Sequence, residues 1–343
     1  MTATVDASRA HNRWHPDLEP VASVAPGVEV TLETRDGIDG QLTRTSTDAD
    51  VLGLDLGLGH PLTGPLYVEG AEPGDLLEVE LLAYEPADFG VTALIPGFGF
   101  LADLFPDPYV VKWETAGGVA RSQELPQVAI PAEVFAGVIG VAPSHELLEE
   151  FRARERAIAA QGGPVADELP ERAVPSTAAD GLRTIPPRET GGNLDVRQLV
   201  AGARLFLPVY VAGALFSIGD LHFAQGDGEV CGTGIEIAGS VTVRFGLRKS
   251  PSWLPRFPAY EAPARPFRRS FATTGLPVES AMDLTRATRE ALLEMISWLG
   301  ATYGLGREQA YALCSVAVDL RLSEVVDVPN PLVSALIPLD VFA

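Results

Sequence analysis

Basic residues are scarce. The 25 Lys and Arg stand against 46 Asp and Glu, a formal net charge of -21. Such a surface repels phosphates, which excludes nucleic acid and anionic membrane surfaces as partners. The excess charge serves solubility and names no substrate. Cysteine is almost absent: Cys231 and Cys314 lie far apart and make no disulfide framework, so a reducing, cytoplasmic setting is expected. Long apolar runs are missing as well. The nearest, residues 199–221, is interrupted by Arg204, Pro208 and three glycines, whereas a spanning helix needs about 20 apolar residues. It reads instead as two buried strands broken at Pro208 or Gly213. The opening MTATVDASRAHNRWHPDLEP has no basic stretch followed by an apolar core, so a secretory signal is not expected there. No phosphate loop, dinucleotide fingerprint, zinc-finger spacing or G-x-S-x-G elbow occurs.

What remains is ample material for a core: 343 residues, 46% of them hydrophobic. The length suggests two intimately packed subdomains. Residues 28–34 alternate strictly and 76–82 nearly so, the period of half-buried strands. Pro and Gly are scattered, as they are where many short strands meet in tight turns. A mainly β fold with α+β elements is therefore expected. Its regions would be a β-rich 1–143, an inserted charged helix and loop at 144–182, and 183–343 carrying an acidic motif and two helices. The insertion, with Ser144 as its cap, reads as an exposed surface decoration or a subunit contact. Apolar spacing predicts a helix over 282–303 capped by Ser280 and Asp283, a second over 308–319, and a closing strand in LVSALIPLDV. The segment 96–113 holds Phe98, Phe100, Phe105, Tyr109 and Trp113 between prolines and glycines. It is expected to be irregular, as core packing or as a pocket wall.

Chemistry concentrates in 217–236, SIGDLHFAQGDGEVCGTGIE. Asp220, His222, Asp227, Glu229 and Glu236 lie there among five glycines, and no Lys or Arg occurs from 205 to 243. Buried carboxylates need a cation, a proton or several donors. Residues two apart on a strand share a face, which pairs Asp220 with His222, Asp227 with Glu229, and Asn193 with Asp195. An Asp-x-His pair offers one oxygen and one nitrogen ligand, a mixture that divalent zinc accepts. Each residue also has a plainer reading: His222 as a hydrogen-bonded core histidine, Asp227 as a hairpin residue beside Gly228, and Glu229 facing solvent. Cys231, two residues from Glu229, reads as a buried structural thiol, because a neighbouring carboxylate opposes thiolate formation. His60, in GHPLTGP, sits where a turn could reach a site. His145 reads as solvated.

Five segments in order resemble the acetamidase/formamidase family of amidohydrolases: GPLYVEGAEPGD, IPGFGFLAD, TIPPRETGGNLD, LFLPVYVAGALFSIGDLHFAQGDGEVCGTGIE and DLRLSEVVDVP. The resemblance spans nearly the whole chain and departs from the family in the length of the connection between GVAPS and TIPPRE. It implies hydrolysis of short amides to acid and ammonia, a jelly-roll-like β-sandwich with α+β elements, homo-oligomers, and a divalent metal near Asn193, Asp195, Asp220, His222, Asp227, Glu229 and Glu236. On this reading Asp220, His222 and Asp195 are the metal ligands. Glu229, Glu236 and Asp227 carry proton transfer, and Asn193, Phe98 and His60 face a small amide substrate. Zinc is the expected ion. The alternative is a non-catalytic module in which an all-oxygen loop holds calcium or a small polar ligand.

Overall fold

The alternation at 28–34 becomes the strand Glu29–Thr34, with Val30 and Leu32 buried and Glu29 and Glu33 exposed. In the computed structural model of the protein, residues 3–99, 102, 106–124, 129–225, 229, 231–263, 269–305, 318–339 and 342 are described. Among the described residues eighteen strands join one large, mostly antiparallel sheet, so the mainly β class is the one found. Its spine is the long strand Leu76–Leu94 against Glu236–Arg248, paired from Leu76–Arg248 to Val91–Glu236 with register shifts at Ile237/Gly239 and Thr242/Val243. Glu236–Arg248 also pairs with Glu29–Thr34.

The segment 199–221 splits into the strands Arg204–Pro208 and Phe216–His222, the latter buried along its whole length. Phe216–His222 is the hub that positions the site. It pairs with Leu62–Val68, with Phe135–Gly140, and at its end with Glu236–Arg248, which sets His222 directly across from Glu236. Phe135–Gly140 pairs in turn with Gly191–Asn193, bringing Asn193 opposite Val138.

Helix His145–Ala160 is capped by Ser144, whose Oγ accepts the Leu147 N–H at 3.1 Å. It is less exposed than its charge suggested. Leu148 and Phe151 pack with Trp14, Leu62, Val138 and Leu182. In the last third, helix Leu284–Tyr303 lies on strands that include Ser270–Gly275 and Leu332–Pro338, and Trp298 stacks on Phe271 with ring centroids 3.8 Å apart. Burying Met295, Trp298 and Leu299 here contributes roughly 1.5–3 kcal/mol per side chain. The helix is capped by Asp283 alone, not by Ser280: Met282 takes φ 57°, which stops the helical backbone from starting earlier. Gly304 ends it in the left-handed conformation.

Two other expectations change. Tyr109–Ala116 is a strand, so irregular backbone is confined, among the described residues of 96–113, to 96–99, 102 and 106–108, and Trp113 is a core residue whose indole N–H donates to Thr92 Oγ1. Phe100 and Phe105 lie outside the described residues, as does 308–317 of the second expected helix; Asp319 opens a strand, Asp319–Glu324. Among the described residues no helix is long and apolar enough to cross a membrane.

Candidate active site

The end of the Phe216–His222 strand opens into a cavity of about 90 Å³, small beside the pocket of a drug-sized ligand. Asn193, Asp195, Asp220, His222, Glu229, Glu236 and Asp327 line it, together with His60 and Phe98. No Lys or Arg does, among the described residues. The local shortage of cations in the sequence is thus a real shortage in space. Asp227 lies outside the described residues.

His222 is the centre. Its Nε2 lies 3.1 Å from Glu236, 3.6 Å from Asp220 and 3.7 Å from Glu229, and its Nδ1 lies 3.8 Å from Asp195. Nδ1 is also 2.6 Å from Gln225 Oε1, while Gln225 Nε2 donates to the Asp195 carbonyl at 3.1 Å. The carbonyl fixes which end of the amide is which. Nδ1 therefore carries a proton whatever the charge of the ring, and Nε2 is the nitrogen that faces the carboxylates.

The backbone is forced into place around these groups. His60, Asp195, Asp220 and Glu229 all take positive φ, at 54°, 45°, 55° and 44°. For a residue with a Cβ this conformation costs on the order of 1 kcal/mol or more, and it collects where function requires it. Asp220 thus reaches the cavity through a left-handed residue, not through the plain pleat that the strand period implied. Two glycines make room. A Cβ on Gly137 would stand 2.5 Å from Asp195 Oδ1 and 2.7 Å from Asp220 Oδ2, and one on Gly37 would collide with Asp220 Oδ1.

Crowding acids in a dry site shifts their protonation. Burial pushes Asp195 well above the usual carboxylate range; His222 opposes this and Asp327 adds to it. Burial does the same for Glu229, with Asp195 adding to it, and for Asp327, with Glu324 adding to it. Glu236 rises to about 7, from burial partly offset by His222. Asp220 is the exception: burial raises it, but the His60 and His222 imidazoles together hold it below its ordinary value. For His222 burial favours the neutral ring, yet Glu236 and Asp220 outweigh it and raise the ring well above normal.

Such a set holds either surplus protons or a cation. Both Asp195 oxygens and Asp220 Oδ1 are buried without a hydrogen-bond partner. Orphaned oxygens around the Nε2 edge of a buried imidazole fit a divalent ion, which would take the place of the Nε2 proton. Asp195, His222 and Glu229 have ligand atoms close enough to share one, as do Asp220, His222 and Glu236. The group His15, Asp17 and His145 at the surface is also close enough. It fits less well, because His15 Nδ1 accepts the Asp17 N–H, leaving the proton on Nε2 toward Asp180. His145 is exposed, as expected.

Asp327 and Glu324 were not singled out in the sequence. Asp327 accepts from the Asn193 amide, and Glu324 Oε1 accepts the Asp327 and Val326 N–H groups. Their signal was there: both lie in DLRLSEVVDVP. Gln225 was also missed, three residues past His222. Glu229 is buried, not solvent-facing, and Cys231 is half-buried with its thiol on the Thr233 carbonyl at 3.4 Å. No described residue of 144–182 lines the cavity.

The comparisons with known proteins agree on one family. The model of the acetamidase/formamidase family matches residues 2–343. A formamidase of Methylophilus methylotrophus is 36% identical, covering 97% of this chain and 89% of its own. An acetamidase of Mycolicibacterium smegmatis is 36% identical over 88% of this chain and 84% of its own. The crystal structure of an acetamidase from Bacillus halodurans superposes with a TM-score of 0.79 at 29% identity, covering 99% and 98% of the two chains.

Proposed function

The chain belongs to the acetamidase/formamidase family and hydrolyses amide C–N bonds, and from that premise we propose that it cleaves short aliphatic amides, of the formamide or acetamide type, at the His222 cluster around a divalent ion. The observation that carries this reading is the Nε2 of His222, held among Asp220, Glu229 and Glu236 with no Lys or Arg in the lining among the described residues.

Asp195, Asp220 and His222 would hold the ion. When bound, it supplies Lewis acidity toward water and the amide carbonyl. Amide hydrolysis also needs a base for the attacking water and a proton for the leaving nitrogen. Glu236 suits both. Gly234 N–H steadies its Oε1 at 2.8 Å, and a carboxyl near pKa 7 takes a proton and gives it back near neutral pH. Glu229 is placed to assist. The Asn193 amide is committed to Asp327, while its Oδ1 has no partner and can accept the substrate NH₂. His60 Nδ1 is likewise free to contact the carbonyl oxygen, and Phe98 supplies apolar wall. Asp227 keeps its expected part in proton transfer. Zinc as the ion follows from the mixed nitrogen and oxygen donors. A cytoplasmic homo-oligomer follows from the sparing cysteine and the resemblance.

The test is ammonia release from formamide, acetamide and propionamide by the wild type, His222→Ala and Glu236→Gln. Release by the wild type, lost in both variants, is expected. No release from any short amide by the folded wild type would overturn the reading.

A further inference from the structure

The cavity rim at Asp55–Gly57 is held from behind by the 144–182 segment; two buried side chains, Asn12 and Arg183, bridge the two, and a third, Arg13, joins Asn12 to the segment. Arg183 donates from Nη2 to the Leu56 carbonyl at 2.7 Å and from Nη1 to the Asp167 carbonyl at 2.9 Å. Asn12 Nδ2 donates to the Gly57 carbonyl at 3.2 Å and to the Arg172 carbonyl at 2.9 Å, and its Oδ1 accepts the Val174 N–H at 2.8 Å. Arg13 Nη2 donates to the carbonyls of Glu168 and Leu169 at 3.2 and 2.6 Å. Nearer the surface, Arg172 Nε pairs with the Asp55 carboxylate at 3.1 Å.

Asn12, Arg13 and Arg183 are 2%, 0% and 5% exposed. A guanidinium taken from water is costly unless its donors are met. Arg183 meets its two Nη donors with carbonyls from two segments at once, the rim and the loop after helix His145–Ala160, while its Nε has no partner. Its burial is therefore tolerable only while both stay in place. The rim matters because Asp55 and Leu56 line the cavity, and Leu56 joins Ile38, Ile95 and Phe98 in its apolar wall. The 144–182 segment itself does not line the cavity, so its influence on substrate passes through these bonds.

We propose that residues 167–174 are a brace for the Asp55–Gly57 rim, and that Arg183 and Arg172 act through it as positioning residues that set the room left for the acyl chain of the amide. The proposal rests on the amidase reading for its substrate and on the bonding network for its mechanics. Formamide carries only hydrogen on its carbonyl carbon, so no alkyl group touches the wall, and it serves as an internal control.

The experiment compares Arg183→Met, Arg183→Lys and Arg172→Ala with the wild type in two ways. Kinetics are measured on formamide, acetamide, propionamide and butyramide. Amide hydrogen exchange is measured over residues 54–58. Arg183→Met is expected to speed exchange there and to change kcat/KM for butyramide relative to formamide by about fourfold per methylene that touches the wall. The change should fall mainly on KM, with formamide within about twofold of wild type. Arg183→Lys, which keeps a donor toward Leu56, should recover part of both. Arg172→Ala removes a surface pair and reports on the same two readouts if Arg183→Met does not fold. Unchanged exchange at 54–58 in a folded variant, or equal effects on formamide and butyramide, would overturn the brace. If the wild type cleaves no amide, the amidase reading fails, while the exchange data still decide the brace.

Discussion

Gln225 Oε1 accepts the Nδ1–H of His222 at 2.6 Å, and the other end of the same amide is anchored on the Asp195 carbonyl. One side chain thus selects the imidazole tautomer and ties it to the segment bearing a second cluster carboxylate. Outer partners of this kind orient a ligating histidine and raise its basicity. Gln225→Leu keeps the bulk and removes the acceptor. We expect a 10- to 100-fold loss of divalent-ion affinity, measured by competition with a chromophoric chelator. Gln225→Glu, which still accepts, should stay closer to wild type. Equal affinity in Gln225→Leu and wild type would remove this role.

Gly137 is where the cluster has least slack. A methyl there meets Asp195 Oδ1 at 2.5 Å, Asp220 Oδ2 at 2.7 Å and the Asp220 carbonyl at 3.2 Å. Carboxylates and backbone cannot all yield, so Gly137→Ala should displace the acids by a fraction of an ångström to an ångström. Activity should fall on the order of 100-fold, with circular dichroism unchanged. Gly53→Ala, whose new Cβ would meet only a carbonyl at 3.4 Å, is the control and should retain wild-type ammonia release.

His11 gives a prediction on stability. It is buried with Nε2 on Ser217 Oγ at 2.8 Å, and burial lowers it from 6.5 to about 4, partly offset by a backbone hydrogen bond to Arg13. The unfolded chain therefore binds the extra proton between these values. Its contribution is complete above pH 6.5, is lost as pH falls toward 4, and is constant below. The loss amounts to about 3 kcal/mol. Urea midpoints at pH 7 and pH 4.5 should drop further in wild type than in His11→Gln. An identical drop in both would show that His11 does not titrate with unfolding.

The density of acids and glycines in 217–236 made Asp220, His222 and Glu236 legible as neighbours, because short spacing on paired strands survives into the fold. The mainly β class was legible for a similar reason: strand periodicity at 28–34 and 76–82 is local. Asp327 and Glu324 were not, since they come from the end of a strand and the loop after it, about a hundred residues later, whose register no local pattern states. Gly37 and Gly137 looked like any other glycines until the carboxylates beside them had positions. The left-handed residue at Asp220 was equally hidden, as a strand pattern carries no sign of a local φ reversal. The cap of the last long helix was misplaced by one turn for the same kind of reason, the positive φ of Met282.

The most direct test follows ammonia release from acetamide while the protein is stripped of divalent ions, with elemental analysis of each sample. The account predicts activity that falls in proportion to bound ion and returns when the ion is restored. Undiminished turnover in protein shown to contain no divalent ion would contradict it.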